Sequence, residues 1–125
     1  MLATEVGIFS SDLLVVQSGS LIEVEIKISK SDLSNDFKKD KHAIFENRVA
    51  LDSWQERVYR PYVPNYFYFC VPEELRDFAI AKCVGNKYGV LVVKLVSSGI
   101  FRRKWNKRIL VVKRAKKLHN NPVSE

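Results

Sequence analysis

The chain has 125 residues, enough for one domain with a real core and too few for two ordinary ones. Its 46% hydrophobic and 28% charged residues argue against disorder, and no apolar run approaches the roughly 18 residues of a spanning helix. The net charge of +7 favours an anionic partner such as nucleic acid, although many basic proteins are not nucleases.

In chain order, the first residues (MLATEVGIFSSD) have no basic region ahead of an apolar stretch, so no secretion signal is expected. Residues 5–9 are a short candidate strand, and residues 12–17 (DLLVVQ) a clearer one, rich in β-branched and apolar side chains. Ser18-Gly19-Ser20 is a tight-turn signal and LIEVEIKISKS follows at once, so the two strands read as a hairpin. In the second strand Ile22, Val24, Ile26 and Ile28 alternate with Glu23, Glu25 and Lys27, which gives an oily side and a charged side. Side chains two apart on such a face sit about 6–7 Å from each other. The hairpin brings Asp12, at the start of the first strand, towards Glu25 and Lys27 at the end of the second.

Ser29 or Ser31 suits a helix start and Asp32 its first turn, so residues 31–47 are expected to be helical. Leu33, Phe37, Ile44 and Phe45 form its apolar stripe, and Lys38, Lys39 and Lys41 its other face. Residues 48–65 read as a loop closed by Pro61, Pro64 and Asn65, with Trp54, Tyr59 and Tyr62 inside it. YFYFCV, residues 66–71, is a buried strand. PEELRDFAIAKCV is a helix with proline and two glutamates in its first turn, ended by Gly85-Asn86. Residues 88–96 are a strand, residues 100–108 a basic, loop-like or weakly extended stretch, and residues 109–113 a short apolar strand. Residues 1–118 are assigned to the single domain and 119–125 to a disordered tail. The expected fold class is α/β: one small mixed sheet flanked by helices.

Cys70 and Cys83 lie in no CxxC, and with His42 and His119 scattered there is no zinc-ligand pattern. Both cysteines are expected to be reduced core residues, and the compartment the cytoplasm, with no membrane partner. Phosphodiester hydrolysis needs charge neutralised at phosphorus and a water activated near neutral pH, and a hard divalent cation on carboxylate oxygens does both. Asp12 and Glu25 have the right chemistry to hold Mg²⁺ or Mn²⁺, with the backbone carbonyl of Ile26 as a third oxygen. Lys27 beside them suits orienting the water or stabilising charge on the phosphate. Glu23 is either an alternative ligand or a surface charge. The competing reading is a half-exposed strand whose charged side simply faces water.

The spacing Asp12-x(12)-Glu25-x-Lys27 on a hairpin followed by a helix resembles the PD-(D/E)XK nuclease superfamily. EVEIKISKSDLSNDFKKDKH, PNYFYFCVPEEL, KYGVLVV and VVKRAKKLH further resemble, in order, its MmcB-like DNA-repair branch and phage-encoded relatives. The resemblance implies a restriction-endonuclease-like core (hairpin, helix, strand, helix, strand), with Asp12, Glu25 and Lys27 as catalytic trio. Lys41-His42 also matches a block of that branch. The superfamily core begins with a helix carrying a further acidic residue. Only eleven residues precede Asp12, so Glu5 stands as its substitute or as a plain surface residue.

Lys30, Lys38, Lys39 and Lys41 near the proposed centre, and Arg102, Arg103, Lys104, Lys107 and Arg108 around Trp105, suit a phosphate backbone with a stacked base. Trp105 fits the core equally well. The expected function is therefore a metal-dependent DNA nuclease of repair, recombination or phage DNA metabolism, with single-stranded DNA, branched DNA and RNA open as substrates. The alternatives are a catalytically silent DNA-binding module and an accessory subunit or homodimer docking through the aromatic segment 54–68.

Overall fold

The computed structural model describes residues 2–3, 12–98 and 104–121. Glu5, the candidate strand at 5–9, Arg102 and Arg103 lie outside the described residues, and of Lys104 and Trp105 only the strand position is described. Strands β1 (Leu2–Ala3), β2 (Leu13–Gln17) and β3 (Ser20–Ile26) come first. Ser18 and Gly19 both have positive φ, 52° and 77°, so β2 and β3 are joined by the two-residue turn that matches strand twist. Helices α1 (Lys30–Asp36), α2 (Asp40–Phe45) and α3 (Ser53–Tyr59) lead to β4 (Tyr66–Pro72). Helix α4 (Arg76–Lys82), β5 (Gly89–Ser98) and β6 (Lys104–Lys113) complete the fold.

Among the described residues six strands form one sheet in chain order. β3–β4 and β4–β5 are parallel and the remaining pairs antiparallel, so the sheet is mixed, as expected. Glu23 and Glu25 are in register with Phe67 and Phe69, and Phe69 with Val90. All five therefore share one face. Phe67, Phe69, Val71, Val90 and Val92 are buried there with Leu33, Ile44, Phe45, Leu75, Ala79 and Cys83 from the helical segments, so the described helices cover this one face. The other face is open towards β5 and β6, where Leu95 and Ile109 are 58% and 64% exposed.

Five expectations change in detail, the first being that the helix expected from Pro72 begins only at Arg76, after Pro72 has closed β4 and Glu73–Leu75 have made a 3₁₀ turn. The single helix at 31–47 is two helices with a break at residues 37–39. At about 100° per residue, an unbroken helix with Leu33 on the sheet would turn His42 to the opposite side. The break lets both face inward, and both are fully buried. The loop at 48–65 contains α3, whose Asp52 and Gln55 make a reciprocal capping box, and a 3₁₀ turn at Arg60–Tyr62. The basic stretch at 100–108 becomes ordered strand from Lys104 onward, because β5 is long enough to pair with it.

The tail is also held further than expected. Leu118 is buried, and Leu118 N–H donates to the Asn65 carbonyl at 2.7 Å. Asn65 clasps three segments: its Oδ1 accepts from Leu21 N–H, and its Nδ2 donates to the carbonyls of His119 and Asn121. His119 Nε2 reaches the Val63 carbonyl at 2.8 Å, so residues 119–121 belong to the folded domain.

Candidate active site

Leu13 is in register with Val24, which sets Asp12 opposite Glu25 across the hairpin. Asp12 Oδ2 accepts from Ile26 N–H at 2.8 Å, so its carboxylate is tied to the end of β3. It lies near enough to Glu25 to oppose that group's ionisation. The two carboxylates are thus brought together. Glu25 is only 2% exposed, so the charged side of β3 does not face water. It lies under the α1–α2 junction, while Ile26, on the oily side, is 55% exposed. The competing reading of a strand with its charges in solvent is overturned by this inversion.

Burial is the main cause that raises the Glu25 carboxyl to about 7, and Lys41 opposes it. Asp12 and Asp36 push it further up. Lys41 Nζ stands between Glu23 Oε2 at 2.9 Å and Glu25 Oε1 at 2.5 Å. Burial lowers the Lys41 pKa, but the two carboxylates outweigh it and hold the ammonium protonated. Lys41 was expected on a DNA-facing surface. At 4% exposure it cannot reach a phosphate backbone and is instead the internal counter-ion of both glutamates. One ammonium shared by two carboxylates leaves the cluster short of positive charge.

Lys27 follows β3, held by its N–H to the Cys70 carbonyl at 2.9 Å. Its ammonium pairs with Asp36 Oδ1 at 2.8 Å rather than with Glu25. Lys39 meets the same oxygen at 2.9 Å. Burial alone would raise Asp36, but hydrogen bonds from His42, Lys27 and Lys39 hold its carboxyl well below the usual range. Asp36 Oδ2 meets His42 Nε2 at 2.6 Å, and His42 Nδ1 meets the Tyr88 hydroxyl at 2.6 Å. In the neutral ring, Nε2–H donates to Asp36 and the Tyr88 phenol donates to Nδ1. Burial pushes the Tyr88 phenol far up, so it stays protonated. A chain of contacts thus runs Lys27, Asp36, His42, Tyr88 from the site into the core.

Asp36, His42 and Tyr88 were not among the expected site residues. The only sequence signal for them was the Lys41-His42 block. Of the expected nucleic-acid contacts, Lys30, Lys38, Lys39, Lys107 and Arg108 are exposed. Trp54 and Tyr62 are exposed on α3 and the 3₁₀ turn, rather than on the loop expected for partner docking. A cleft of about 520 Å³ between α2 and α3 is lined by Lys39, Lys41, Ile44, Leu51, Gln55 and Tyr59, and not by Asp12, Glu25 or Lys27.

Among the described residues no three His, Cys, Asp or Glu side chains form a ready metal cage. The oxygens at the end of β3 are those of two carboxylates and the backbone, and one of the carboxyls is raised chiefly by its burial. That chemistry fits Mg²⁺, which keeps several waters and takes one or two carboxylates, better than zinc or a closed calcium cage.

No family model and no curated protein matches the chain. Among solved structures it is similar to the SPO1766 protein of unknown function from Silicibacter pomeroyi, with a TM-score of 0.51 and 14% identity. The match covers 94% of this chain and 60% of that one, so this chain spans less than two thirds of its neighbour's length. At that identity the likeness speaks for the mixed α/β fold and for nothing finer.

Proposed function

We propose that the chain is a metal-dependent nuclease that hydrolyses DNA phosphodiesters, with Asp12 and Glu25 as metal carboxylates and Lys27 as the cation beside the reacting phosphate. The observation that carries this reading is the pairing of Asp12 with a buried Glu25 raised to about 7, at the strand end that also bears Lys27. Bound by Asp12, Glu25 and the Ile26 carbonyl, Mg²⁺ or Mn²⁺ would supply Lewis acidity and a water of lowered pKa. Asp36 holds the Lys27 ammonium in place, and His42 and Tyr88 hold Asp36. Lys41 keeps Glu23 and Glu25 from repelling each other before metal arrives. The likeness of the sequence blocks to the MmcB-like branch of the PD-(D/E)XK superfamily supports the same assignment.

The test is incubation with single-stranded, duplex and branched DNA in Mg²⁺, Mn²⁺ or EDTA. Metal-dependent cleavage is expected, with Asp12→Ala and Lys27→Ala each lowering it by about 10²–10³-fold while the protein stays folded. A second reading, a silent DNA-binding module, is favoured by Lys41 already occupying Glu25 Oε1. It predicts salt-sensitive DNA affinity and no product in either metal.

A further inference from the structure

The positive charge is distributed very unevenly. Residues 78–124 carry twelve Lys and Arg and no Asp or Glu, whereas residues 1–77 carry nine basic and thirteen acidic residues. The basic part folds around the β5–β6 hairpin. β4 pairs with β5 only as far as Pro72 and Val93, but β5 and β6 go on pairing from Lys94 with Arg108 to Ser98 with Lys104. Five residue pairs therefore overhang the described sheet, about 16 Å at 3.3 Å per residue. β3, β4 and β5 run parallel, so the overhang rises from the same end of the sheet as Glu25 and Lys27.

The face matches too. Glu25 is in register with Phe69 and Val90, and Lys94, four residues beyond Val90, returns to that face with Arg108 as its cross-strand partner. Two strands over and two residues along place Lys94 about 12 Å from the Lys27 backbone, or three to four base steps along B-form DNA. Arg108 is exposed, and Lys94 has only a loose pair with Glu73 at 3.7 Å, so both are available to phosphates. Leu95 and Ile109 are exposed on the ribbon's other face, away from Lys94 and Arg108.

We propose that the overhanging β5–β6 ribbon grips duplex DNA through its major groove, with Lys94 and Arg108 on phosphates near the scissile bond. A two-stranded ribbon fits the B-form major groove, about 12 Å wide, and not the deep, narrow one of A-form RNA. The grip deepens the nuclease reading by naming its substrate class, and only its placement beside a cleaved bond depends on that reading.

The test measures anisotropy of the full chain with labelled duplex DNA, its single strand and the matching RNA duplex, in EDTA across a salt series. Duplex DNA is expected to bind at least about tenfold tighter than either competitor, because neither competitor offers a groove that the ribbon fits. Lys94→Gln/Arg108→Gln should lower the salt slope on duplex DNA by about 2. Its unfolding temperature should match the parent's. An unchanged slope, equal or tighter binding of single strand or RNA duplex, or an Ile109-dependent dimer of this chain would overturn the proposal. Hydrolysis of bis(p-nitrophenyl) phosphate in Mg²⁺ separates the two readings. Turnover with an unaltered slope sinks the grip alone, whereas the predicted slope with no turnover of this ester or of DNA sinks the nuclease alone.

Discussion

Beneath α4 the sheet is covered by Val71, Leu75, Ala79, Cys83 and Val92, all apolar and all packed in one cluster. Beneath the α1–α2 junction, the same face carries Glu23 and Glu25, with Asp36, Lys41 and His42 set against them from the two helices, none of the five more than 4% exposed. The apolar half needs no account beyond the area it removes from water. The polar half costs several kcal/mol per buried ion before pairing, and well-packed hydrophobic residues there would serve stability as well or better. Stability therefore explains one half of the face and not the other, and the residues unexplained by packing are those that adjoin Asp12 and Lys27.

Lys41→Met is the sharpest way to break that contrast. It leaves Glu23 and Glu25 buried without their shared cation, and about 3–5 kcal/mol of stability should be lost in urea unfolding at pH 8. Adding Glu23→Gln and Glu25→Gln to the same variant should recover most of the loss. In the apolar half, Leu75→Ala should cost roughly 2–5 kcal/mol through a cavity, with no such recovery. A loss below about 1 kcal/mol for Lys41→Met would mean the ion cluster is solvated and the two halves are alike.

The next effect is pH dependence. Burial raises Glu25 above its usual value to about 7, so its contribution is fully present below about 4.5 and is lost as pH rises through 7. Between those limits the parent protein should lose about 3 kcal/mol from this group, from 1.36 kcal/mol per unit, and Glu25→Gln should flatten that part of the profile. Asp36 acts in the opposite sense. Its lowered pKa contributes stability above the usual aspartate range that disappears only as pH falls below it. On the proposed function, Mg²⁺ should raise the unfolding temperature at pH 8, where Glu25 is ionised, and much less at pH 5. Equal shifts at both pH values would detach the metal from Glu25.

The apolar half was legible because its signals are local: YFYFCV and the β-branched run of β5 each announce their own element, although the proline and glutamates of PEEL mark the end of β4 and a 3₁₀ turn rather than the first turn of α4. The hairpin was legible for the same reason, and it sufficed to set Asp12 beside Glu25. What stayed hidden was the depth of the polar half. Alternation says that Glu23, Glu25 and Lys27 share a face, but not whether helices cover it. Phe37-Lys38-Lys39 contains neither glycine nor proline, so nothing local marks the break between α1 and α2. Without the break His42 falls on the outer side, whereas Lys41 stays about 80° from Leu33, and its charge rather than its place in the period makes it read as a surface cation. The length of β6 was hidden too, because its basic residues resemble a loop until β5 is known to extend beside them.

Tyr88 joins the two halves and gives the smallest and most discriminating prediction. Its ring packs against Phe67 and Phe69 at centroid distances of 4.6 and 6.0 Å, and its hydroxyl reaches His42. Tyr88→Phe keeps the ring and strands one buried nitrogen, so about 1–3 kcal/mol should be lost in urea unfolding. Because His42 acts on Lys27 only through Asp36, turnover should fall far less than in Lys27→Ala, by about tenfold, with KM unchanged. A loss of stability with no change in turnover would confine the His42 chain to holding the fold. A loss of turnover as large as that of Lys27→Ala would place His42 itself at the reacting phosphate, since a residue two contacts removed should not match the effect of removing the ammonium.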